Sequence, residues 1–124
     1  MRRQLAALAL LLVWGLALLL QPVAAQAAEV LQVRSGTLLQ VGDHNRTYTV
    51  ELACLDIPAG GDAAAAERLR QELPRRTRVN LRPLGNHGGT LVARVQPLQG
   101  GSPGGDLSEG LIAAGLASPS ADCA

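Results

Sequence analysis

TYTVELACLDIP, residues 47–58, decides how the rest of the chain reads. Tyr48, Val50, Leu52 and Cys54 alternate with other residues, which is the period of a strand buried on one face. The alternation predicts that Cys54 shares the inward face with Val50 and Leu52. Asp56-Ile57-Pro58 then ends the strand, because proline has no N–H for a ladder and disfavours helix in the residue before it. One carboxylate, Asp56, is left at the mouth of the strand.

Working outward, two shorter strands precede it. Residues 30–34 and 37–41 are apolar runs separated by Ser35-Gly36, and Gly42-Asp43-His44-Asn45 forms the next turn. The three strands read as an antiparallel meander. After it, 59–62 is a loop and 63–73 a helix, rich in alanine, with Leu69 and Leu73 on one face. Asp62 stands where an N-cap belongs, and Pro74 stops the helix. Residues 77–84 alternate again, with Val79 and Leu81 inward and Arg78, Asn80 and Arg82 outward. Residues 85–89 read as a loop, and 90–98 as a fifth strand demoted near its end by Pro97. A Gly/Pro/Ser connection over 99–105 leads to Asp106 and Glu109, spaced as a capping box, and to a second helix over 107–116 whose last turn Gly115 weakens. The order β-β-β-α-β-β-α predicts a mainly β chain with two helices, a five-stranded Greek-key barrel of the OB type.

The N-terminus reads differently. Met1-Arg2-Arg3 is basic, Leu5 to Leu20 is apolar throughout, and Val23-Ala24-Ala25 and Ala25-Gln26-Ala27 each fit a small-x-small cleavage site. That is the pattern of a secretory signal peptide, and it predicts export to a periplasm or the exterior. A retained membrane anchor is the other reading, for which the run falls short of the ~20 residues a spanning helix wants. The division expected is 1–27 signal peptide, 28–117 barrel and 118–124 tail. Once Arg2 and Arg3 leave, nine arginines face ten acidic residues, a net charge of −1. Such a balance gives no general attraction to nucleic acid or acidic membrane, and no stable membrane association is expected after cleavage. Trp14 leaves too, so Tyr48 becomes the sole aromatic residue and the core is built from Leu, Val, Ile and Ala. A domain so small benefits from a staple. Cys54 and Cys123 are the only cysteines. They either pair, as export favours, or leave Cys54 as a small buried hydrophobe.

Several pieces, taken in order, resemble the staphylococcal-nuclease-like (thermonuclease) family, OB-fold phosphodiesterases. ELACLDIPA (51–59) resembles the family's RLxGIDTPE, VRSGTLLQV (33–41) its VxDGDTxxV hairpin, and LSEGLIAAGLA (107–117) its VNxxLVxxGLA helix. The resemblance covers about 30–117. It implies a calcium site, since calcium wants several carboxylate oxygens, and two arginines that hold the phosphate and its growing charge. Carried over residue by residue, most of this set is replaced. Thr37 stands for the hairpin's ligand aspartate, Glu51 for the third-strand arginine, Ile57 for the turn threonine, Ala59 for the glutamate that orients water, and Gly89 for the second arginine, in the sequence His87-Gly88-Gly89. Only Asp56 is kept. The resemblance therefore implies a degenerate member, truncated after the second helix, where the family continues into a further one.

The preferred expectation is an exported barrel without nuclease chemistry, a small binding or interaction module with no cofactor, whose partner the sequence leaves unnamed, another exported protein or nucleic acid being the candidates. The alternatives are a metal-dependent phosphodiesterase that has rebuilt its site from Asp56, Glu51 and His87, in which case calcium would enter, and a non-cleaving nucleic-acid binder. The last rests on Arg68, Arg70, Arg75, Arg76, Arg78 and Arg82, which either contact phosphates or form a solvated face balanced by Glu67 and Glu72. A single tyrosine is a poor supply of stacking surface for single strands. Asp56 is either a catalytic remnant or a carboxylate capping its turn. His44 and His87 either pair on a transition metal or are surface residues. Asn45-Arg46-Thr47 matches the glycosylation pattern, as three residues often do by chance.

Overall fold

The computed structural model describes residues 26–99, 102–103 and 105–123. The apolar run expected to act as a signal peptide lies outside them. Strands β1 (Gln26–Val33), β2 (Leu38–Asp43) and β3 (Arg46–Leu52) form the meander, followed by the two-residue β4 (Leu55–Asp56) and helix α1 (Asp62–Glu72). Then come β5 (Arg78–His87), β6 (Thr90–Gln99), the short β7 (Ser102–Pro103), helix α2 (Leu107–Ala113), β8 (Ser118–Pro119) and a 3₁₀ turn, Ala121–Cys123.

Five strands close on themselves. The sheet runs β3-β2-β1-β5-β6, and β6 returns to pair with β3, giving a closed barrel. All neighbours in that order up to β6 are antiparallel, whereas the closing pair is parallel, with Glu51 opposite Val92 and Leu52 opposite Ala93. Alternate residues point inward as the period-2 pattern requires. Leu39, Val41, Val50, Leu52, Val79, Leu81, Ala93 and Val95 are buried in one core. Helix α1 adds Ala65, Ala66 and Leu69, its C-cap residue adds Leu73, and α2 adds Leu107 and Leu111. Two mainly β expectations therefore hold: five barrel strands, and two helices after the third and fifth of them.

The deciding strand is shorter than its pattern. β3 ends at Leu52, and Ala53-Cys54 make a turn in which Cys54 has φ +69°. That left-handed residue breaks the alternation, so Cys54 does not share the inward face with Val50 and Leu52. It is half-buried, and Leu55 is buried in its place. The turn is held from both sides: Ala53 N–H donates to the Ala93 carbonyl at 2.9 Å, and Ser108 Oγ on α2 donates to the Ala53 carbonyl at 2.7 Å.

Four further expectations change. Residues 85–87 are strand, not loop: β5 runs to His87, and only Gly88-Gly89 turn, both with positive φ (55° and 89°), as a tight two-residue hairpin requires. A bulge between Pro83 and Gly85 accompanies this extension. Pro97 does not end β6. It is buried opposite Val79, where β5 but no longer β3 flanks the strand. Asp62 does not cap α1. Gly61 occupies the N-cap, and Asp62 Oδ1 instead accepts the Gly36 N–H at 2.9 Å, tying α1 to the β1–β2 turn. Gly115 does not weaken α2 but closes it: with φ +76° it allows Gly115 N–H to reach the Ile112 carbonyl and Leu116 N–H the Leu111 carbonyl, both at 3.0 Å, a Schellman arrangement. Asp106 does cap α2, accepting the Glu109 N–H at 3.2 Å.

The aperiodic tail folds back. β8 pairs with β4, Leu55 opposite Pro119 and Asp56 opposite Ser118, and Ser120 N–H donates to the Cys54 carbonyl at 3.1 Å. Cys54 and Cys123 form a disulfide with Cα atoms 5.3 Å apart, which settles their alternatives in favour of the bond.

Candidate functional site

The residues with chemistry converge at the C-terminal end of β3. Because β3 and β6 are parallel there, Glu51 lies beside Val92 on the outer wall. β5 then places Gly85 beside Val92 and His87 beside Thr90. Glu51 and His87, far apart in sequence, become neighbours, and His87 Nδ1–H donates to Glu51 Oε2 at 2.9 Å. The Glu51 side chain is 33% exposed and that of His87 74%. Around them is an open cleft of about 370 Å³, whose wall includes Asp56, Leu84 and the Cys54–Cys123 disulfide. Leu84, at the bulge, is 54% exposed, the only large hydrophobic side chain so exposed among the described residues.

Asp56 is exposed on β4, and its carboxylate has no hydrogen bond or ion pair among the described residues. It therefore does not cap its turn. The hairpin that the resemblance would make a metal loop is closed on itself. Ser35 Oγ accepts the N–H groups of Thr37 and Leu38 at 3.2 and 3.1 Å, and sits 3.4 Å from the Thr37 hydroxyl. Gly36 packs so tightly that a Cβ there would lie 2.7 Å from Ile57 Cδ1 and 2.8 Å from Ala65 Cβ. Among the described residues no group of three or more His, Cys, Asp or Glu side chains is arranged to hold a metal. Calcium fits this donor set poorly: Asp56 is the one carboxylate left of those implied, and Ile57 and Ala59 offer no side-chain oxygen.

The two histidines do not meet. His44 is in the turn that leads into β3 and His87 contacts Glu51 at its far end, with Asp43 the nearest acid to His44 at 3.7 Å. The six arginines divide. Arg68 pairs with Glu72 at 2.9 Å and Arg70 with Glu67 at 3.9 Å, on the same helix. Arg75, Arg76, Arg78 and Arg82 are exposed and have no acidic partner among the described residues. They lie on the approach to β5 and along it. Asn45 of the glycosylation pattern is exposed in the β2–β3 turn.

Two polar features had no signal in the sequence. Arg94 on β6 donates to Asp106 Oδ2 at 3.0 Å, so the residue that caps α2 also ties it to the barrel. The Tyr48 hydroxyl is buried with no partner among the described residues. Burial, and then the negative charge of Asp43, push its ionisation above the ordinary value of 10.0, while Arg46 pulls the other way.

No family model matches the chain, and no curated protein matches it.

Proposed function

We propose that the chain is an exported, nuclease-like barrel of the OB type that has lost phosphodiesterase chemistry and serves as a small binding module. Three features support the fold part of this reading. The barrel closes through a parallel pairing of its third and fifth strands, its first strand lies between the second and fourth, and a helix is inserted after the third. These are features expected of a Greek-key barrel of the OB type. Export rests on the basic and apolar N-terminus and on the disulfide, which persists in oxidising compartments.

The loss of chemistry rests on one observation. Where the resemblance needs an arginine to hold a phosphate, the cleft presents the Glu51 carboxylate, already hydrogen-bonded to His87. A phosphodiester approaching this wall meets like charge, and hydrolysis needs the opposite: fixed positive charge where negative charge grows. The second arginine position, Gly89, offers no side chain. The test is calcium-dependent hydrolysis of single-stranded DNA by the mature chain, beside Asp56→Ala. Neither protein is expected to cleave. Cleavage by the natural chain that disappears in Asp56→Ala would overturn the reading and assign a rebuilt site.

A further inference from the structure

We infer that the cleft beside Glu51 and His87 docks a basic segment of a partner protein, with an arginine or lysine head at its carboxylates and an apolar neighbour on Leu84. The inference rests on the binding-module reading above and names the chemistry of the partner. The chain has no lysine, and no arginine is among the described residues that line this cleft. The acids that line it are Glu51 and Asp56. Asp56 is exposed, with no hydrogen bond or ion pair among the described residues. Glu51 gives Oε2 to His87 and keeps Oε1 without a partner among them. The sign of charge that turns a phosphodiester away from this wall attracts a cation to it.

Charge alone does not distinguish a docking surface from a solvated acidic rim. The apolar half of the cleft does. Leu84 is the most exposed large hydrophobic side chain among the described residues, and it shares the wall with Val92 and the Cys54–Cys123 disulfide. It sits at the bulge between Pro83 and Gly85, the kind of irregularity by which a strand re-aims a side chain. Lysine and arginine match such a wall: their aliphatic stems lie along apolar surface while the charged head stays at the wet end. At about 370 Å³ the cleft is at the small end of ligand sites, with room for a short segment rather than a folded surface. A free amino acid fits worse, because its own α-carboxylate would face Glu51 and Asp56. Inside a chain that charge is absent, and a neighbouring apolar residue can cover Leu84.

The experiment is an amide NMR titration of the disulfide-bonded chain with the acetylated, amidated tripeptides Leu-Arg-Leu, Leu-Gln-Leu and Leu-Glu-Leu, and with spermidine. Leu-Arg-Leu is expected to move the amides of Glu51, Asp56 and residues 84–87. It should bind about fivefold more tightly than Leu-Gln-Leu, the ratio that one good exposed ion pair supplies, with Leu-Glu-Leu weakest. Asp56→Asn should remove most of that preference, and Leu84→Ser should weaken Leu-Arg-Leu and Leu-Gln-Leu alike. Both side chains are exposed, so the variants keep the fold, and the same spectra report it. Equal binding of the three peptides, spermidine binding as tightly as Leu-Arg-Leu, shifts confined to residues 75–82, or no binding at all would each overturn the inference. None of these outcomes touches the loss of phosphodiesterase chemistry, which falls only if the chain cuts DNA.

Discussion

Breaking the Cys54–Cys123 disulfide is expected to cost the protein about 4 kcal/mol. The bond joins residues 69 apart and encloses α1, β5, β6 and α2. In the unfolded chain it forbids the conformations in which those ends are far apart, and for a loop of this length the lost chain entropy amounts to roughly 4 kcal/mol at 25 °C. In the folded chain the ends are already together: β8 pairs with β4, and Ser120 N–H reaches the Cys54 carbonyl. For a domain of about a hundred residues this corresponds to a fall in melting temperature of about 15–20 °C. Thermal melts of the mature chain with and without reductant measure it, beside the doubly substituted Cys54→Ala, Cys123→Ala protein, which excludes stray thiol chemistry. A companion variant separates the cross-link from the turn. Cys54 has φ +69°, a conformation that costs a residue with a Cβ about 1–2 kcal/mol. Cys54→Gly with Cys123→Ala should therefore recover about 1 kcal/mol relative to the double alanine protein. A melting temperature that moves by less than about 5 °C on reduction would refute the reasoning, since the tail would then not be holding the chain closed.

Asp62→Ala is expected to lose about 1 kcal/mol in urea unfolding, because the Gly36 N–H loses its acceptor across the α1 junction. Asp62→Asn, which keeps an oxygen there, should lose less than half of that. Equal losses would assign the effect to charge at the start of α1 instead. Tyr48, the only tyrosine, gives a phenolate absorbance titration that reports one group, with a midpoint expected above 10.0. The unfolded chain gives up this proton first, so Tyr48 lowers stability as pH rises through 10.0 toward its folded value and has no effect below. Asp43→Asn should bring the midpoint part of the way down, and an unshifted midpoint in the natural chain would contradict the burial of the hydroxyl.

Much of the barrel is legible in sequence because one face of each strand is buried. Val50 and Leu52, or Val79 and Leu81, cannot move by one residue without exposing the core. The α2 cap is legible for a local reason: Asp106 and the N–H it accepts are three residues apart. What escapes is either conformational or long-range. Nothing in the letters around Cys54 announces a positive φ, since left-handed turns are read from glycine and asparagine. Residues 85–87 look like loop because glycine, asparagine and histidine are weak strand formers, and their pairing with β6 overrides propensity. The tail has no hydrophobic period because a disulfide and a two-residue pairing hold it in place of an apolar face. The Asp62–Gly36 bond, across 26 residues, and the Glu51–His87 bond, across 36, exist only once the barrel has closed.

The closed barrel also separates what position 51 carries from what the core requires. Glu51 lies between Val50 and Leu52, both buried, and Val92 lies beside buried Ala93. The alternation that commits Val50, Leu52 and Ala93 to packing leaves Glu51 and Val92 on the outer wall, where the core places no demand on them. Charge at position 51 can therefore reverse without altering a single inward contact. The β1–β2 hairpin is not free in this way. Gly36 is wedged against Ile57 and Ala65, and its N–H is bound to Asp62. Ile57, at the position where the resemblance would put threonine, is part of this packing. On the strand wall, chemistry and fold use opposite faces and are exchanged separately. At the hairpin they share atoms, and placing a metal ligand there would require repacking the junction with α1. An arginine placed at position 51 would change what the cleft attracts, but it would not create a calcium site.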